Sequence, residues 1–281
     1  MSISLLKNGN CQALLNYLIK GEFDFELSCS NYTTGIRSDI INMKFVSKKH
    51  NPKTFSAFAK LKADLKNLPI PNITTESVRY FEHDFRKNCY YPEVINIDLK
   101  SAYSRILYID KLISDDTFSY FNGLEKQERL AAVGMLAGRK RIFVFEKGKP
   151  ISHKEEINPM SGFFFYCVKR TQEIMAELKK ICEQNYLFTW VDGIYFLPDK
   201  KIVKKCEDYL NEIKFLYRID NLQDFRIVMS NEKPFLTFIK NGELKKFNLP
   251  AIQTAFKRII IDSIIEIKKQ ENEKSKIKNP Y

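Results

Sequence analysis

Hydrophobic positions along this chain fall into two rhythms, one of helical period and one alternating. "NCQALLNYLIKG" repeats at helical spacing and ends at Gly21, and "FDFELSCS" alternates as a half-buried strand does. "KTFSAFAKLKADLKNL" puts Phe55, Phe58, Leu61, Leu65 and Leu68 on one helical stripe. "PIPNITT" then breaks the pattern with two prolines and marks a domain boundary, so residues 1–75 form an N-terminal α+β segment. After it, "INIDL" closes a core strand, and the stretch from Lys111 to Lys149 reads as helical and basic. "SGFFFYCVKRTQEIMAELKKICEQN" is a long amphipathic helix, with Val168, Thr171, Met175, Leu178 and Cys182 at helical spacing. "YLFTWVDGIYFL" reads as two apolar strands around Asp192 and Gly193. "FLTFIKNGELKKF" reads as a second hairpin, turned at Asn241-Gly242, where both residues need positive φ. The last predicted element is an amphipathic C-terminal helix fading into the polar "KKQENEKSKIKNPY". This order predicts an α+β fold, an antiparallel sheet with helices on one face.

The 281 residues suffice for one large domain or two modest ones. A formal charge of +12 adds a partner class, because such a surface attracts a polyanion, either nucleic acid or an anionic membrane. The longest aliphatic run, "RIIIDSIIEI", is interrupted by Asp262 and too short to span a bilayer, so no membrane role is expected. The six cysteines are scattered without a C-x-x-C pair and the three histidines are far apart, which argues against a disulfide framework or a zinc site. With no secretory signal in "MSISLLKNGN", a reducing, cytoplasmic location is expected.

One position in the apolar pattern is chemically odd. Asp98 ends a core strand, yet the chain continues through Lys100, Ser101 and Tyr103 rather than stopping in a polar turn. A buried carboxylate is costly unless a cation, backbone amides or a metal pairs with it. A second aspartate, Asp192, sits at the tip of a predicted hairpin. If the two strands are neighbours, the carboxylates meet at one sheet edge and repel each other unless a cation lies between them. Magnesium, which takes oxygen ligands and leaves positions open for phosphate, suits that place. Two such ions can activate a 3′-hydroxyl and stabilise a departing pyrophosphate.

These residues carry a resemblance. "DLKSAY" resembles motif A of the family B DNA polymerases, D-x-x-S-L-Y-P, and "VDGIYF" resembles the second half of motif C, Y-x-D-T-D-S-[IV]-Y-F. "RLAAVGMLAGRK" is similar to a degenerate motif B, K-x-x-x-N-S-x-Y-G, and "EKPFLTFIKNGEL" to the K-x-Y segment with its hairpin. The resemblance covers about residues 76 to 250 in the family's order. It implies a palm over 76–250 with reduced fingers at about 111–150, and a thumb remnant with a basic tail at 251–281. It also implies a deoxynucleotide-adding enzyme of phage or mobile-element type that uses two Mg2+ ions, with Mn2+ as a substitute. DNA primer-template, dNTPs and replication proteins are the implied partners, in the host cytoplasm if the chain is phage-encoded.

By that match Asp98 and Asp192 are catalytic metal ligands, with the Leu99 carbonyl as a further ligand. Tyr103 lies beneath the incoming sugar and excludes a 2′-hydroxyl, and Ser101 joins it in nucleotide binding. Arg129, Lys126 and Lys140 are candidates to bind the triphosphate, while Lys233 and Arg139 contact DNA. The chain departs from the family pattern at Trp190, which stands for motif C's first aspartate, at Ser104 for the motif A proline, and at Phe235 for the K-x-Y tyrosine. No D-x-E exonuclease signature is present. Two alternatives follow from these departures. One is a primase-like or template-independent nucleotidyltransferase, and the other is an inactive palm kept as a DNA-binding or replisome subunit.

Overall fold

The computed structural model describes residues 9–30, 33–46, 51–73, 81–82, 88–229 and 235–248. In chain order these form α1 (Gly9–Lys20), β1 (Phe25–Ser30), β2 (Thr33–Arg37), β3 (Asn42–Val46), α2 (Pro52–Leu65), β4 (Phe81–Glu82) and β5 (Cys89–Leu99). Next come α3 (Ala102–Ile109), α4 (Asp115–Asn122), α5 (Lys126–Gly134), β6 (Arg139–Glu146), β7 (Lys149–Ile157) and α6 (Ser161–Cys182). The remainder is β8 (Tyr186–Trp190), β9 (Gly193–Phe196), α7 (Lys200–Glu212), β10 (Tyr217–Val228), β11 (Phe235–Lys240) and β12 (Glu243–Asn248). The fold is α+β with two antiparallel sheets, ordered β3-β2-β1-β6-β7 and β12-β11-β10-β5-β9-β8-β4. Among the described residues no helix is long and apolar enough to cross a membrane. The expected C-terminal helix and thumb remnant lie outside the described residues.

Tertiary contacts divide the chain into two units, residues 1–78 with 101–174 and residues 79–100 with 175–281. In the first unit, α1 buries Cys11, Leu15 and Leu18 against Phe25, Leu27, Ile36 and Phe145 of the sheet. The Phe25 and Phe145 rings stack at 4.3 Å across the β1–β6 pair. Asn51 caps α2 by accepting from the Lys53 amide, and Pro52 takes the first helical position, where its missing N–H costs nothing. The buried face of α2 is Thr54, Ala57, Leu61 and Leu65, so Phe55 and Phe58 flank the core rather than fill it.

Residues 111–149 are not all helical, as the sequence led us to expect. Helix ends at Gly134, a 3-10 turn covers Met135–Ala137, and "RKRIFVFE" is β6. Its β-branched and aromatic residues favour a strand, and the basic residues at its start obscured the alternation. Lys147 and Gly148, with φ of 47° and 70°, make the tight turn into β7. Arg139 and Lys140 therefore lie on a strand that pairs with β1, not on a fingers helix. The residues expected as fingers share the first unit with the N-terminal segment.

In the second unit, β5 is central, with β10 on one side and β9 on the other. Ile95, Ile97, Leu99, Ile194 and Phe196 are buried along one set of alternate positions. Val94, Leu222, Phe188, Phe225, Ile227, Leu236 and Phe238 form a core cluster from the other set and the flanking strands. Buried on both faces, β5 can end in a charge only where the sheet opens.

Candidate active site

The site begins at the end of β5. Asp98 is paired with Gly193 of β9 on one side and with Arg218 of β10 on the other. Cross-strand partners point to the same face, so Asp98, Asn96, Tyr195, Arg218 and Asp220 share one surface. Gly193 contributes no side chain beside Asp98, and a Cβ there would meet the Asn96 amide nitrogen at 3.2 Å. Asn96 itself is buried and donates from Nδ2 to the Ile194 carbonyl at 3.2 Å.

Asp192 arrives from the next hairpin. Trp190 pairs with Gly193 across the two-residue turn Val191-Asp192, and the Leu99 amide donates to the Asp192 carbonyl at 2.9 Å. Thus the residue that follows Asp98 is hydrogen-bonded through its backbone to Asp192. Val191 has φ of 54°, a rare conformation for a β-branched residue and a sign of strain in the turn that aims Asp192.

Electrostatics link the side chains. Burial pushes the Tyr195 phenol up, the charges of Asp98, Asp192 and Asp220 push it further, and Arg218 opposes them. One hydroxyl therefore feels all three carboxylates. Arg218 Nη2 lies 3.2 Å from Asp98 Oδ2 and its Nε lies 2.8 Å from Asp220 Oδ2. Asp220, 11 % exposed, also holds the Lys240 ammonium at 2.7 Å. Asp98 is 29 % exposed and Arg218 51 %. A pair so open to water is worth roughly 0–1 kcal/mol, so Arg218 can yield Asp98 to a divalent cation.

Among the described residues no group of three or more His, Cys, Asp and Glu side chains is arranged to hold a metal by itself. Magnesium is typically held by one or two carboxylates together with water and substrate phosphates. Asp98 and Asp192 are the carboxylates that would serve such a donor set. Arg218, Asp220, Tyr195 and Lys240 were not foreseen. The signal was present in "YRIDNLQDFRIV", where Asp220 interrupts an alternating strand just as Asp98 does.

The other expected residues belong to the first unit. Ser101 caps α3 in the left-handed conformation, with φ of 54°, and its carbonyl accepts from Ser104 Oγ at 3.1 Å. The Tyr103 ring meets Phe164 edge-on at 5.7 Å, and its carbonyl accepts from Cys167 Sγ. Arg129 Nη1 donates to the Leu124 carbonyl, which ties it to its own helix start. Lys126 is exposed at the first position of α5. Arg139 and Lys140 are exposed beside Glu155 and Glu156, at 3.7 and 3.9 Å. Lys233 lies outside the described residues.

No protein-family model matches this chain, and a search of curated proteins finds no significant match.

Proposed function

We propose that the second unit is a polymerase palm and that the protein is a minimal DNA-directed DNA polymerase acting on primer-template and dNTPs. The observation that carries this reading is the convergence of Asp98 and Asp192 at the end of β5, where the amide of Leu99, next to Asp98, donates to the Asp192 carbonyl and both carboxylates push the Tyr195 phenol up. Few structural needs explain gathering carboxylates on one open sheet edge, whereas nucleotidyl transfer requires it.

In this reading Asp98, Asp192 and the Leu99 carbonyl hold magnesium, or manganese in its place. The bound ions would supply the charge that makes a 3′-hydroxyl nucleophilic and neutralises the departing pyrophosphate. The chain's own residues arrange the rest. Gly193 keeps the space beside Asp98 clear, Asn96 fixes the β5–β9 register, and Asp220 holds the Arg218 guanidinium next to Asp98. Arg218 thereby offsets the Asp98 charge, and its Nη2, which meets Asp98, is the group that would turn to a substrate phosphate while Nε stays on Asp220. Tyr103, the second residue of α3, is the proposed sugar-selecting residue. Trp190 replaces one acidic residue of the family pattern, so this site carries less negative charge.

A second reading has an observation of its own. Arg218, held between Asp98 and Asp220, already occupies the carboxylate that a metal would need, as in an inactive DNA-binding palm. Labelled primer-template with four dNTPs and magnesium separates the two. Templated extension that is abolished in Asp98→Asn and in Asp192→Asn, and by EDTA, supports the polymerase. Extension without template or primer supports the primase-like transferase, and DNA binding without incorporation under magnesium or manganese supports the inactive palm.

A further inference from the structure

The first unit contains a cavity of about 310 Å³ at the end of its sheet. Three facing positions on adjacent strands, Ser30, Lys140 and Glu156, form one wall. Phe58 of α2, Met135 of the turn after α5 and Ile157 at the end of β7 give an apolar wall. Arg139 stands at the mouth.

Glu155 is shared by Arg139 and Arg141, at 3.7 and 3.9 Å, and Glu156 by Lys140 and Lys154, at 3.9 and 3.0 Å. Alternate strand positions divide these pairs between the two faces of the sheet, with Arg139, Arg141 and Glu155 on one and Lys140, Lys154 and Glu156 on the other. Glu26 also acts on Lys154, and three of the four contacts are long. Lys140 and Arg139 can turn to an incoming anion at little cost, since such exposed pairs contribute little. The walls are pre-formed. Asn158 donates from its backbone to the Gly138 carbonyl at 2.9 Å and from Nδ2 to the Met135 carbonyl at 3.0 Å, joining the turn to the end of β7. A Cβ at Gly138 would meet the Met135 carbonyl at 3.0 Å, so the turn is close-packed.

We propose that this cavity binds one unstacked nucleotide of single-stranded nucleic acid, with the phosphate on Arg139 and Lys140 and the base against Phe58, Met135 and Ile157. The volume suits one base with its sugar, the apolar wall receives the base face, and the two cations that line the cavity receive a phosphodiester. A base stacked in a duplex cannot enter a concavity of this kind. Glu156 restrains affinity by holding Lys140.

The test uses the full chain in EDTA, which separates it from the metal-dependent reading of the other unit. Anisotropy of fluorescein-labelled oligo(dT) is measured against a duplex of equal length. Arg139→Ala/Lys140→Ala is expected to weaken oligo(dT) binding by about tenfold or more, and Glu156→Gln to tighten it severalfold. The Lys44→Ala/Lys169→Ala control removes the same charge from exposed positions that do not line the cavity, and is expected to change affinity by less than about threefold. The gain on Glu156→Gln cannot arise from misfolding. Equal losses in both double variants, no gain from Glu156→Gln, or a loss from Arg139→Ala/Lys140→Ala as large for the duplex as for oligo(dT) overturns the proposal. So does displacement of oligo(dT) by inorganic phosphate or by a phosphoserine peptide at matched phosphate concentration, which assigns the cavity to a small anion or a phosphopeptide instead.

Discussion

At the residue scale, a charge inside an apolar pattern was the most legible signal in the sequence. Asp98 stood out because its strand is apolar on both faces, and the structure puts it at an open edge beside Arg218. Asp220 carries the same signal, but its strand is interleaved with Arg218, Asn221, Gln223 and Asp224, so the alternation was diluted. Arg218 and Lys240 were not legible at all, since a cation's partner across a sheet depends on register and not on spacing along the chain. Val191 yields a prediction that separates stability from activity. Replacing it with glycine removes a strained φ and is expected to raise stability by about 1 kcal/mol while slowing incorporation, as Asp192 loses its fixed aim. Thermal denaturation and a rate assay on Val191→Gly check both signs together. Tyr166 gives a pH prediction. Burial and its hydrogen bond to Asp110 push its phenol up to about 12. A pKa raised on folding contributes stability that is complete below pH ~10 and is lost as the pH rises toward the folded value. Chemical denaturation across that window should show stability falling, and Tyr166→Phe should make the fall shallower.

At the scale of elements, long periodic segments were readable and compact turns were not. α6, the β8–β9 hairpin and the β11–β12 hairpin occupy the expected stretches because their apolar spacing is uninterrupted. β6 and β7 were missed because lysines and arginines cover their exposed faces, and only cross-strand pairing with β1 makes a strand there favourable. The hairpin depends on Gly148, whose φ is 70° and whose added Cβ would lie 2.3 Å from the Ile19 carbonyl. Gly148→Ala is expected to cost about 2 kcal/mol or more, read as a lowered denaturation midpoint. In the second sheet, Phe225 packs fully buried between Tyr195 and Phe238, at 6.1 and 5.9 Å. Phe225→Ala should destabilise by about 3–5 kcal/mol and also weaken catalysis, because the ring supports the tyrosine beside the carboxylates.

At the scale of the whole molecule, composition anticipated a polyanionic partner but not how the chain is divided. The sequence suggested consecutive domains, whereas each unit takes two separate stretches of chain. Such interleaving leaves no local mark, since it follows from which strands pair at long range. With a charge of +12, DNA binding should rest largely on counterion release, and affinity should fall with salt at a log–log slope steeper than about −3. A nearly flat dependence would remove the electrostatic part of the account. The central claim is that Asp98 and Asp192 act as a unit in nucleotidyl transfer. The most direct test is single-turnover incorporation of one dNTP by the wild type, Asp98→Asn, Asp192→Asn and the double variant. We predict that each single change lowers the rate by about a thousandfold and that the double change lowers it little further. Wild-type rates in either single variant, or losses that multiply in the double, would contradict it.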